Sequence, residues 1–279
     1  MKAIHKKMKL GNFFFWLAMI AIAVIVIVPV LFILFTSMKS KNEFFATSIF
    51  DLPKTWYIQN YIDAFTSGKM WMYIKNTILI CVIKVPLGIL VEAMAAYAIT
   101  KLNLRHGNKL FIVFLVGMMV PIQVCLVPLS MMLNKIGLMN SYVSLIFVYI
   151  AFGIPFGILV LRGFMRGIPR ELEEAARIDG ASNFRIFTRI ILPISKPAIA
   201  TLIIMDFLST WNEYVINSIL ITDQTMRTVP SGLMGFVGQY STDYCLMTAG
   251  MMLSIIPVLI VYLIFQKHFV SGMAGAVKG

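Results

Sequence analysis

Residues 162–196 read RGFMRGIPRELEEAARIDGASNFRIFTRIILPISK. The stretch is too charged to cross a bilayer and too regular to be an ordinary connector. Pro169 suits the start of a helix, and Glu171, Glu173 and Glu174 place negative charge in a first turn, where the helix dipole favours it. Ala175 and Ala176 leave little bulk, so another surface can approach closely. Gly180 is suited to end this helix. Ser182 can cap a second helix whose apolar residues Phe184, Phe187, Ile190 and Ile191 form one stripe. Pro193 is expected to break that helix at a membrane surface. Periodicity alone leaves two readings of the hairpin open: an amphipathic element lying on a bilayer, or a docking element for a partner.

The rest of the chain is strongly apolar. Of 279 residues, 59% are hydrophobic and 13% charged, with a mean hydropathy of +0.87. A soluble domain carries about a quarter charged residues, so the composition indicates a polytopic helical membrane protein. Six apolar runs, near 11–37, 71–99, 109–132, 142–161, 195–220 and 246–266, are long enough to span as helices. MKAIHKKMKLGN before the first run looks like the start of a signal peptide. The following stretch is too long for one and lacks a small-residue cleavage site, so a retained helix is expected.

Basic residues set the orientation. The N-terminus, the segment after the second run, the hairpin and the tail hold 16 of the 24 Lys and Arg residues. By the positive-inside rule both termini and the hairpin are then cytoplasmic. That distribution accounts for the net charge of +12 without nucleic acid. On the opposite side, residues 38–70 are expected to form an interfacial turn with a short helix, and 221–244 an irregular loop.

Lys84 lies near the middle of the second run and Asp206 near the middle of the fifth. A charge at such depth costs about 2.5–3.5 kcal/mol or more, so it pairs or lines a cavity. Their matched depths allow an interhelical pair; alternatively either residue faces a solute path. Glu213, seven residues after Asp206, is expected on nearly the same helix face. In Trp211-Asn212-Glu213 an aromatic face and an amide would suit a sugar. Cys81, Cys125 and Cys245 have no metal or disulfide spacing and read as small buried hydrophobes. Prolines 29, 86, 121, 128, 155 and 257 within the runs are expected to kink helices. No GxxxxGK[ST] occurs, so the chain lacks that nucleotide-binding signature.

Glu174-Ala175-Ala176, Gly180 and Ile190-Ile191-Leu192-Pro193 reproduce EAA-x3-G-x9-I-x-L-P without a gap. This signature resembles the membrane subunits of ABC importers. EEAARIDGAS at 173–182, Trp211-Asn212-Glu213, Thr228-Val229-Pro230 with Gly232-Leu233, and QKHFVSGMAGAVKG at 266–279 are similar to the carbohydrate-uptake branch. So are Leu52-Pro53, Trp56 and Asn60-Tyr61 in the outer segment, and Ala95-Ala96-Tyr97-Ala98. Similarity covers nearly the whole chain and is closest to the MalG-like subunits of maltose-type importers.

The resemblance implies an all-α membrane protein of the MetI-like permease fold with six transmembrane helices. Residues 1–70 would form an N-terminal helix and outer loop, and 71–279 the permease core, with the EAA loop at 171–193. It also implies a sugar permease of the bacterial cytoplasmic membrane, for a mono- or oligosaccharide; a Lys84 facing the path unpaired would favour an acidic one. The partners would be a second, different permease subunit, two ATPase subunits, an extracytoplasmic binding protein and membrane lipid. ATP and Mg would sit on the ATPases, and this chain would hold no cofactor and no metal and catalyse nothing.

Coupling to the ATPase would fall to Glu174, Ala175, Ala176, Asp179, Gly180, Ile190, Leu192 and Pro193. Glu174 would pair with a cation there or hold the hairpin. Thr228, Pro230 and Gly232 would meet the binding protein, and the tail near Gly275–Gly279 would reach the ATPases. A secondary transporter would need internal repeats, and none is evident. A peptide or amino-acid permease fits the tail and the Trp-Asn-Glu run less well. A membrane enzyme would need a convergent nucleophile and base, which the sequence does not offer.

Overall fold

The computed structural model describes residues 2–238 and 242–276. The described residues form helices, 3-10 turns and one isolated antiparallel bridge between Val237 and Thr242. In order these are α1 (Lys2–Ser37), α2 (Lys41–Ala46), α3 (Gln59–Phe65), α4 (Met70–Lys101), α5 (Gly107–Met118), α6 (Ile122–Lys135) and α7 (Tyr142–Arg166). There follow α8 (Glu171–Ile178), α9 (Asn183–Ile186), a π-helical turn (Phe187–Ile191), α10 (Leu192–Ile194), α11 (Lys196–Trp211), α12 (Val215–Leu220), α13 (Val229–Leu233) and α14 (Tyr244–Ala276).

Four of these segments are long and apolar enough to cross a membrane unbroken, within α1, α4, α7 and α14. The third expected run is instead a pair, α5 and α6, bent by 93°. Pro121 stands at the N-cap of α6 in extended backbone, and a proline there has no N–H to carry the α5 ladder onward. The fifth run is also divided. The helix from Asn183 to Ile194 meets α11 at 76°, and α11 itself stops at Trp211, leaving α12 separate. Counting each bent pair as one crossing gives up to six.

The chain forms two compact units. In the smaller, Met1–Met70 with Leu233–Ile255, the outer segment finishes α1. Asn60 donates its amide to the carbonyls of Ser37 and Lys39 at 2.9 and 2.8 Å, and the Tyr61 hydroxyl meets Ser37 Oγ at 2.6 Å. Thus Asn60 supplies a donor to the Ser37 carbonyl, which ends α1 without a helical N–H of its own.

In the larger unit, Trp71–Gly232 with Ile256–Gly279, Ile80 of α4, Leu126 and Leu133 of α6, Leu145 and Tyr149 of α7, and Ile216 and Leu220 of α12 share one core. Asn140 ties the α6–α7 turn to the loop after α12, accepting the N–H groups of Thr222 and Asp223 at 2.7 and 3.0 Å. Asp223 accepts the Thr225 N–H and hydroxyl, both at 2.8 Å. These bonds hold its carboxyl below the usual range. Residues 277–279 of the expected tail lie outside the described residues.

Candidate functional site

The hairpin is built as two arms gripped by the end of α4. Glu173 turns inward from the first turn of α8, 3% exposed, and pairs with Lys101 Nζ at 2.9 Å. The same ammonium donates to the Ile168 carbonyl at 2.7 Å. One turn earlier on α4, the Tyr97 ring packs on Phe187 at 5.2 Å between centroids, and its hydroxyl meets the Asn183 carbonyl at 3.4 Å. Lys101 therefore holds the first arm and Tyr97 the second. Glu174, expected as a possible holder, is exposed instead.

Gly180 has φ +79°, a left-handed backbone suited to glycine. It closes α8 in a Schellman arrangement, with the Ala181 N–H bonded to the Ala176 carbonyl at 2.9 Å. Ser182 caps α9, accepting the Arg185 N–H at 3.3 Å. Pro193 does not end the second arm. The π turn before it widens the helix, with the Leu192 N–H reaching back to the Phe187 carbonyl, and such a turn accommodates a ring that cannot donate. The break falls two residues later, at Ser195.

The π turn's extra residue also shifts the helical phase. Ile186, Phe187 and Ile191 face inward, Ile190 is half-buried, and Phe184 is left 72% exposed. Leu172 and Ile178 are exposed too, at 44% and 87%, beside exposed Glu174, Ala175, Asp179 and Gly180. Leu192 is half-buried and Pro193 exposed. The hairpin thus combines an anchored inner side with an outer side of small, acidic and unpartnered apolar residues.

A second cluster lies midway along α4. Lys84 Nζ meets Asp206 Oδ1 of α11 at 2.7 Å, with both side chains buried. Glu92, two turns further along α4, is 1% exposed and shares the same space. A Cβ on Gly153 of α7 would stand 3.4, 3.5 and 3.7 Å from atoms of Lys84, Glu92 and Asp206 respectively. A Cβ on Gly157 would overlap the Glu92 carboxyl, and one on Gly88 would touch Asp206 and Glu92. Three glycines thus make room for one ammonium and two carboxyl groups. Both Glu92 oxygens and Asp206 Oδ2 lack a hydrogen-bond partner among the described residues.

The other expected site residues are dispersed. Trp211 is 2% exposed and stacks on Phe207 at 5.4 Å, so its ring is already covered. Asn212 is exposed, its amide donating to the Leu208 carbonyl at 2.9 Å. Glu213 does not continue the Asp206 face, because α11 has ended. It accepts the Tyr149 hydroxyl at 2.7 Å and the N–H groups of Ile216 and Asn217 at 2.7 and 3.1 Å, capping α12.

Thr228 and Gly232 are buried rather than presented to a partner. The Val229 N–H donates to Thr77 Oγ1 at 2.9 Å, and Gly232 lies against the Tyr73 ring. Pro230 is half-buried, while residues 222–225 are exposed, as are 234–235 and 237–238 later in the loop. Among the described residues no three His, Cys, Asp or Glu side chains are grouped to hold a metal.

The family model for the binding-protein-dependent transport system inner membrane component matches residues 84–275. The chain belongs to that family. This permease is 34% identical over 254 residues to the diacetylchitobiose uptake system permease protein NgcG of Streptomyces coelicolor, covering 90% of this chain and 84% of that one. It is 31% identical over 281 residues to the arabinooligosaccharides transport system permease protein AraQ of Halalkalibacterium halodurans, covering 98% and 100%. Its fold matches a chain of a bacterial ABC transporter involved in the import of the acidic polysaccharide alginate. That match has a TM-score of 0.83 and 22% identity, over 94% of this chain and 97% of the other. The permease is accordingly a multi-pass membrane protein and a transport component.

Glu92, Tyr97, Lys101 and Glu173 organise the permease in roles that the expectations above do not give them. Lys84, Gly88 and Glu92 follow one another at a four-residue spacing, which places them along one helix face, so Glu92 was detectable. Tyr97, Lys101 and Glu173 carry no such local signal, because their partners come from distant parts of the chain.

Proposed function

We propose that this permease is one of two transmembrane subunits of an ATP-driven sugar importer, and that its hairpin docks in a cleft on an ATPase subunit. The observation that carries this reading is the two-sided hairpin: exposed signature residues outside, and a buried grip on α4 inside. When the ATPase pair closes, movement of α8 passes through Glu173 to Lys101, and movement of the second arm through Phe187 to Tyr97. The helix that receives both also carries Lys84 and Glu92, so displacement reaches the middle of the membrane.

The chain crosses the bacterial cytoplasmic membrane six times, the two bent pairs counting once each, with both termini and the hairpin in the cytoplasm. A second, different permease completes the path, and an external binding protein delivers the solute. The sugars named for its relatives support a carbohydrate, and the alginate importer's fold keeps an acidic one in view. Residues 222–225 are an exposed surface available to the binding protein. Lys84 and Asp206 act as an interhelical pair, and Asn212 is the polar residue of its run left to meet solute or partner.

Gly180→Asp tests the docking. A Cβ there meets nothing within 4 Å, and aspartate tolerates left-handed backbone better than most residues. The variant should therefore insert and assemble with its partner permease, yet lose ATPase binding or hydrolysis-driven uptake. Normal uptake by the well-expressed variant, with the ATPase still co-purifying, would sink the docking assignment.

A further inference from the structure

Beside the hairpin a cavity of about 320 Å³ opens between the end of α4, the start of α5 and the last turns of α7. Its polar lining includes Thr100, Lys101, Asn108, Arg162, Arg166 and Arg170, and no carboxylate lines it. Lys101 is already answered by Glu173. Among the described residues the three arginines form no ion pair.

Arg162 is the decisive member. It is 6% exposed, and a guanidinium so buried is costly unless it is paired. Its contacts are the Phe111 ring, 3.6 Å from Cζ, and one bond to Asn108 Oδ1 at 2.7 Å. Its Nε has no hydrogen-bond partner, and neither has Thr100 Oγ1. The twelve-residue helix α5 begins at the same wall. Its N-cap, His106, makes no side-chain bond, and the Gly107 N–H is taken by the Leu104 carbonyl at 3.0 Å, which leaves the next N–H groups of an electropositive first turn without a side-chain cap.

Arginine forks and a helix start without a side-chain cap together complement an anion with several acceptor oxygens. The positive-inside rule accounts for cations on this side of a membrane. It does not account for a concave site walled by a buried arginine that no carboxylate among the described residues answers. Two long apolar helices end here and the twelve-residue α5 begins, which puts the cavity at the level of lipid headgroups. We propose that this cavity binds a phosphate group, from an anionic lipid headgroup or a soluble phosphate, and braces the root of the hairpin. Arg170, the N-cap residue of α8, would join the hairpin to α4 and α7 through that phosphate.

The test uses the purified complex of permease and partner subunits in nanodiscs of phosphatidylcholine, with or without phosphatidylglycerol. Native mass spectrometry counts retained phosphatidylglycerol, and thermal unfolding in pure phosphatidylcholine discs reads a titration with inorganic phosphate. Arg166→Gln and Arg170→Gln are compared with Arg105→Gln, which alters an exposed arginine outside the cavity lining.

If lipid supplies the phosphate, the two cavity variants retain phosphatidylglycerol about tenfold more weakly, the loss expected for one charge-assisted hydrogen bond, and Arg105→Gln matches wild type. If the source is soluble, inorganic phosphate raises the unfolding temperature of the wild type and of Arg105→Gln but not of the cavity variants. Arg170 is exposed, so its replacement leaves buried Arg162 in place and the complex measurable. Equal retention by all three variants, together with no response to phosphate, overturns the proposal.

Discussion

Replacing Lys101 with Met should release the hairpin from α4 while the spans remain folded. The ammonium serves two acceptors at once, the Glu173 carboxylate at 2.9 Å and the Ile168 carbonyl at 2.7 Å. Both charged side chains are nearly inaccessible, at 3% and 4%. Met keeps most of the lysine stem's volume, so the loss is electrostatic rather than steric. Stripping a buried carboxylate of its cation costs about 3–5 kcal/mol. Glu173 sits on an eight-residue helix whose other face is exposed, so the strain is relieved by lifting that helix. The lower end, about 3 kcal/mol, then applies, a roughly hundredfold shift toward a detached hairpin.

Limited trypsin digestion reads detachment at exposed Arg177 and Arg185, and proteoliposomes give the ATP hydrolysed per solute imported. Faster cleavage and a raised ratio are expected for Lys101→Met. Adding Glu173→Gln should soften both effects, because no buried charge remains. Wild-type protease resistance in Lys101→Met, or a double variant no milder than the single one, would refute the anchoring argument.

Other perturbations probe the remaining contacts. Gly157→Ala places a Cβ against the Glu92 carboxyl and should cost about 1–3 kcal/mol of thermal stability in detergent; Glu92→Ala in the same chain should restore it, and a double variant as unstable as the single would exclude that clash as the cause. Lys84→Met strands Asp206 and should destabilise by about 3–5 kcal/mol. Uptake assays should then show neutral and acidic sugars lost together, whereas selective loss of one would argue against a purely structural pair. Asn60→Ala leaves the Ser37 and Lys39 carbonyls short of a donor and should cost about 1–3 kcal/mol, visible as faster proteolysis within residues 38–58.

Much of this protein was legible along the chain. Composition and long apolar runs dictate a helical membrane protein, because a bilayer admits no unsatisfied backbone. The hairpin's turn residues act locally, and Gly180 and Ser182 behave as their side chains require. The EAA spacing is a linear pattern, so it can be read before any folding is known. Local rules erred where one element answered to another. Pro193 was expected to stop a helix, but the π turn before it absorbed the ring and moved the break to Ser195. A seven-residue spacing sets Glu213 on the Asp206 face, but α11 ends first and Glu213 caps α12 instead.

What only the tertiary structure decided is which charged residue does what. Glu173 and Glu174 are adjacent and chemically alike, and successive helical positions point about 100° apart. Whether either is buried depends on where Lys101 arrives from α4. Likewise, the approach of α7 through Gly153 and Gly157 makes a shared site of Lys84, Asp206 and Glu92. Sequence determined the helical class, the membrane and the EAA signature because those follow from neighbours along the chain. The grip on the hairpin and the buried charge cluster required residues far apart to meet, and packing alone settles those meetings.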